Sequence, residues 1–122
     1  MTVPAEEAFR RLTIGETSVL ADRGRSGGAV SPSRADPRTD AMLRLAALVA
    51  VGAPASSYRT VVQDALRNGA RLDDLLGVLM AVADTVGTAR VVAAAPAIAL
   101  AAGYDVEAAL EHHSAQARSG SR

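Results

Sequence analysis

The chain has 122 residues, enough for one compact domain, with hydrophobic residues at 49% and a formal charge of zero. Balanced charge gives no overall pull toward nucleic acid or an anionic membrane, and neither is an expected partner. The absence of cysteine excludes thiol redox chemistry, thiolate nucleophiles, disulfides and cysteine metal sites, and fits a cytoplasmic protein.

The opening stretch, MTVPAEEAFRRL, carries acidic residues and no apolar core of signal-peptide length. Pro4 to Leu12 reads as a short helix with Ala8, Phe9 and Leu12 on one side, and Glu16 to Asp22 adds a turn or two. Residues 23–37, RGRSGGAVSPSRADP, are rich in Gly, Ser, Arg and Pro and have no period, so a mobile loop is predicted. Its Arg23, Arg25 and Arg34 either grip an anion or belong to a solvated linker.

DPRTDAMLRLAALVAVGAP is the clearest helix, with Asp36 as N-cap, Pro37 at the first helical position and Gly52 closing the end. From Ala41 to Val51 only Arg44 is polar, so burial on most sides is expected, with Arg44 reaching solvent, a carboxylate or a ligand. SSYRTVVQDALRNGA follows as an amphipathic helix whose inward stripe is Tyr58, Val61, Val62, Ala65 and Leu66. Ser56 or Ser57 caps it and Gly69 ends it. In RLDDLLGVLMAVADTVG, Asp73 and Asp74 suit the positive end of the helix dipole, and the body to Val86 is apolar except for Asp84. TARVVAAAPAIALAAG resumes after Gly87, and Pro96 kinks that helix or starts a new one. Asp105 caps the last helix, whose inward face is Val106, Ala109, Leu110 and His113, and the tail ARSGSR is frayed.

No segment alternates with period two, and Gly or Pro marks every break, so the predicted fold is all-α with five to seven helices. The longest uncharged apolar run, Val91 to Tyr104, is broken by Pro96, whereas a spanning helix needs roughly 18 such residues, so no membrane segment is expected. Aromatics are limited to Phe9, Tyr58 and Tyr104, and alanine dominates. A small Ala-rich core buries little surface per residue, and a large subunit interface is the expected remedy.

The order of these pieces resembles the carboxymuconolactone decarboxylase-like family, which includes alkyl hydroperoxidase D-type proteins. The resemblance is carried by DPRTDAMLRLAALVAVGAP, then SYRTVVQDALRNGA, then DDLLGVLMAVADTVGTARVVAAAPAIALAAGYDVEAAL, over about residues 36 to 111. It implies an alkyl hydroperoxidase D-like helical bundle that assembles as a trimer or hexamer. The domain expectation is a helical arm and flexible loop over 1–35, the family domain over 36–117 and a disordered tail over 118–122. Redox members of the family carry Cys-x-x-Cys-x-x-x-His. Anchored on ALRNGA, those positions fall near Pro54, Ser57 and Val61, so all three groups are replaced and thiol peroxidase activity is not expected. Val61 is expected to be buried and structural.

The remaining candidates are few. Tyr58 and Arg44 are candidate catalytic residues: Tyr58 as a hydrogen-bond or proton donor, Arg44 as the partner of a substrate carboxylate. Each also has a structural reading, a packed ring for Tyr58 and a salt bridge for Arg44. Asp84 and Arg90 flank Gly87 and either pair, with each other or across a subunit boundary, or bind substrate, and His113 is a substrate-binding candidate or a core or interface histidine. Adjacent His112 and His113 cannot face the same way on a helix, so no metal site and no cofactor is expected. Two functions follow: a cysteine-independent lyase acting on a small carboxylated or lactone-like molecule, or a catalytically degenerate oligomeric binding or scaffold protein.

Overall fold

The computed structural model describes residues 4–21, 36–104 and 106–120. The segment 23–35 with its three arginines and the Asp105 cap lie outside the described residues, as do the side chains of Val106 and Ala109. The described chain is all-helical, with seven α-helices and one 3-10 turn. It forms two compact units, Met1–Asp36 and Pro37–Arg122.

The first unit holds α1 (Ala5–Thr13) and α2 (Ser18–Ala21). In α1 the Glu7 carboxylate takes Arg10 at 2.8 Å and Arg11 at 2.9 Å. These hydrogen bonds hold the carboxyl down at about 2, well below the usual carboxylate range. Of the expected inward face only Ala8 is buried; Phe9 is 71% exposed.

The second unit holds α3 (Pro37–Val51), a 3-10 turn (Ala55–Ser57), α4 (Tyr58–Arg67), α5 (Leu72–Val86), α6 (Thr88–Ala101) and α7 (Val106–Ser119). Pro37 does open α3, where its missing N–H leaves no intrahelical bond unmade. The core is built from Leu45 and Val49 of α3, Tyr58, Val62 and Ala65 of α4, Leu75 and Leu79 of α5, and Ala94 and Ile98 of α6. Within each helix these residues stand three or four apart, the spacing that lines one face. Asp74, at the start of α5, accepts the Arg71 N–H at 2.8 Å and the Arg38 guanidinium at 3.2 Å, so one carboxylate caps α5 and ties it to α3.

Four local expectations are narrowed or changed. α6 runs unbroken through Pro96, which stands on the exposed side of the helix, where water can serve the freed carbonyl. α7 runs on through Ala117, Arg118 and Ser119, the first three residues of the stretch ARSGSR expected to fray. His113 is exposed rather than inward, and Leu110 is 60% exposed, so their sides of α7 are uncovered. Finally, α3, α5 and α6 each bury only one face. Opposite it on α3 and α6, and beside it on α5, run exposed apolar stripes at four-residue spacing: Leu43, Ala47 and Val51; Val92, Pro96 and Leu100; Leu72, Leu76 and Met80. No helix among the described residues is long and apolar enough to cross a membrane.

Candidate functional site

A cleft of about 180 Å³ opens between α3 and α4. From α3 it is lined by Pro37, Asp40, Ala41 and Arg44, and from α4 by Val61, Asp64 and Asn68. Both sets follow the spacing that places residues on successive turns of one helix face. Ala41 and Val61 supply apolar lining. The polar groups are internally paired: Arg44 meets Asp40 at 2.9 Å one turn away, Arg67 meets Asp64, and the Asn68 amide donates to the Asp64 main-chain oxygen at 2.7 Å. The Arg44 side chain is nevertheless 66% exposed, so the structure gives it solvent and a carboxylate together.

Val61 departs from the expectation of burial. It is half-buried, packing against the core on one side and lining this polar cleft on the other. The position that the family resemblance assigns to a histidine is therefore wet. We expect Val61→His to keep its unfolding free energy within about 1 kcal/mol of the parent, since the ring nitrogens reach water and the neighbouring carboxylates. Urea unfolding measures this; a loss above about 2 kcal/mol would mean a dry site. No peroxidase activity should appear, as there is no thiolate for the histidine to serve.

The other sequence candidates do not gather here. Tyr58 is buried at 2% exposure in the core cluster and lines neither this cleft nor the groove between α4 and α6. Burial pushes its phenol above the usual range, so it stays protonated. Its hydroxyl has no hydrogen-bond partner among the described residues, and no fully sealed polar side-chain atom is left unpaired there, so the oxygen keeps a contact with the surface. Arg90 does not pair with Asp84. Its guanidinium donates to the Ala50 carbonyl, neutralising the negative end of α3. Asp84 is exposed without an ion pair among the described residues, and His113 is exposed on α7. Neither lines the cleft.

Sequence reasoning missed Asp40, Asp64 and Asn68. Their signal was present as spacing: Val61, Asp64 and Asn68, like Pro37, Ala41 and Arg44, share a face. Nothing in either helix alone says that the two faces meet. Chemically, the cleft holds one mobile guanidinium, two carboxylates and an amide. Among the described residues no group of three His, Cys, Asp or Glu is placed to hold a metal. The chain also contains no lysine, so imine chemistry is closed to it as thiol chemistry is.

Neither a curated protein nor a solved structure matches the chain. A family model does, over residues 22–100, which spans the cleft, α3 to α5 and nearly all of α6 and stops short of α7. The helical fold, the order of its elements and this match over well over half of the sequence agree, and the chain belongs to the carboxymuconolactone decarboxylase family.

Proposed function

We propose that the protein binds a small carboxylated or lactone-like molecule in the α3–α4 cleft, with Arg44 as its cationic anchor. The observation that carries this reading is the exposed Arg44 guanidinium lining the cleft. Its present bond to Asp40 is a solvent-exposed pair within one helix, worth about 0–1 kcal/mol. A ligand carboxylate taken bidentate beside the apolar Val61 and Ala41 gains a second hydrogen bond and apolar contact that Asp40 does not have, so it displaces Asp40.

The same charges suit a lyase that needs no cysteine. In decarboxylation the C–C bond breaks, its electron pair passes into an enolate, carbon dioxide leaves and water returns a proton to carbon. Negative charge therefore leaves the carboxylate and arrives at a carbonyl oxygen. A guanidinium helps at the receiving oxygen and hinders at the departing group. Arg44 thus belongs at the lactone or second carboxylate of such a substrate, with Asp64 nearer the group that leaves. The second reading, a binding or scaffold oligomer without turnover, is favoured by the lack of any cysteine or lysine nucleophile.

Calorimetric titration with small dicarboxylates and lactone acids tests the proposal. Arg44→Gln should weaken binding by roughly tenfold or more while leaving the melting temperature nearly unchanged. Equal affinity in the variant sinks the reading. Release of carbon dioxide from a bound acid by the parent, and not by Arg44→Gln, selects the lyase over the silent binder.

Self-association belongs to this reading. Three exposed apolar stripes on one small unit exceed what a monomer normally leaves to water. A closed homo-oligomer, trimer or hexamer, covers the greater part of this surface. Light scattering should find no stable monomer at micromolar concentration, and a persistent monomer would count against it.

A further inference from the structure

A second, larger hollow of about 610 Å³ lies between the start of α4 and the end of α6. It shares no lining residue with the α3–α4 cleft. One wall is polar: Ser56, Arg59 and Gln63, at the spacing of one helix face. The other wall is apolar: Ala97, Leu100 and Ala101 of α6. Leu100 is 74% exposed, so the apolar wall stands open in the single chain.

The polar wall carries an unused cation. Arg10, Arg11, Arg38, Arg44 and Arg67 each meet a carboxylate, Arg90 meets a carbonyl, and Arg71, whose side chain meets neither among the described residues, lines neither hollow. Arg59 meets neither among the described residues, although Gln63 one turn on has no charge to repel a guest. No acidic residue occupies the first turn of α4, and its Ser57 makes no side-chain cap. The positive end of the helix therefore adds to the arginine and is not cancelled. Nothing lining the groove supplies a negative side chain.

We propose that this groove is a second ligand site, for a molecule with one anionic head and an apolar body. The head lies against Arg59 and Gln63, and the body lies along Ala97, Leu100 and Ala101. A medium-chain carboxylate is the simplest member of that class. The proposal is independent of the reading of the α3–α4 cleft.

Octanoate, titrated calorimetrically into the full-length protein, is the probe, with octanol as the neutral molecule of equal chain length. Saturable binding of octanoate is expected, roughly tenfold or more tighter than octanol. Arg59→Gln should remove that advantage, and Arg71→Gln, at an exposed arginine that lines neither hollow, should leave it unchanged. Arg59 is exposed, and circular dichroism of the variant establishes that it folds; the octanol comparison needs no variant. Three outcomes overturn the proposal. Octanoate fails to saturate the parent, Arg59→Gln binds it as tightly, or Arg44→Gln abolishes its binding, which puts the ligand in the other cleft. Should octanoate fail to bind while Leu100→Ser splits an oligomer in sedimentation, the groove is a contact with a second copy and the site is rejected.

Discussion

Tyr58→Ala should cost the helical domain about 3–5 kcal/mol, the range for deleting a large buried aromatic and a large share of a small domain's stability. Tyr58 is the largest fully buried side chain among the described residues and packs within a cluster otherwise made of Leu, Val, Ile and Ala. An Ala-rich interior has few long side chains nearby to relax into the void, so most of the cavity would remain. Tyr58→Phe, by contrast, should stay within about 1 kcal/mol of the parent, because the hydroxyl has no hydrogen-bond partner among the described residues. It should also retain ligand binding in the α3–α4 cleft, which Tyr58 does not line. Urea unfolding of the two variants separates ring from hydroxyl. A phenylalanine variant as unstable as the alanine one would return Tyr58 to the list of polar functional groups.

Two glycines should respond to the same substitution with opposite signs. Gly87 is the single residue between α5 and α6 and holds φ 93° and ψ 145°. That region is nearly closed to residues with a Cβ, so Gly87→Ala should cost about 1–3 kcal/mol. The cost is one of backbone conformation and not of space, since an added Cβ would meet nothing within 4 Å. Gly77 lies in the middle of α5, also with nothing within 4 Å, at an ordinary negative φ. There alanine restricts the unfolded chain and suits the helix, so Gly77→Ala should add about 0.4–1 kcal/mol. Melting both variants beside the parent checks the pair. A destabilised Gly77→Ala with an unchanged oligomer would contradict the account, since the chain itself offers the methyl open space.

Much of the fold was legible because its signals are local. Pro37, Gly52, Gly69, Gly87 and Gly103 punctuate the helices through backbone geometry that each residue decides for itself, and four of these glycines do take positive φ at a helix end. Pro96 left open a kink or a new helix, and the structure closes only the second, since α6 is one helix through it. A proline's missing N–H predicts a kink or a break, but whether the helix survives depends on which side the freed carbonyl faces, and here it is the wet side. His113 misled through periodicity. The pattern on α7 marks a face and not what covers it, and in the single chain that side of His113 is uncovered.

By itself the sequence determined the helices, their ends, the family and the chemistry that is closed to this chain, because composition, turn residues and helical spacing act over a few residues. Only the tertiary structure decided that Arg44 and Asp40 of one helix face Val61, Asp64 and Asn68 of another, that Tyr58 is core, and that Arg59 stands unpaired over an apolar wall. The reason is that helical periodicity fixes which residues share a face but says nothing of how two faces pair. Small alanine side chains allow many registers between helices at similar cost. The choice among them is made by the few large residues, Tyr58, Leu45, Leu75 and Ile98, packing together at once.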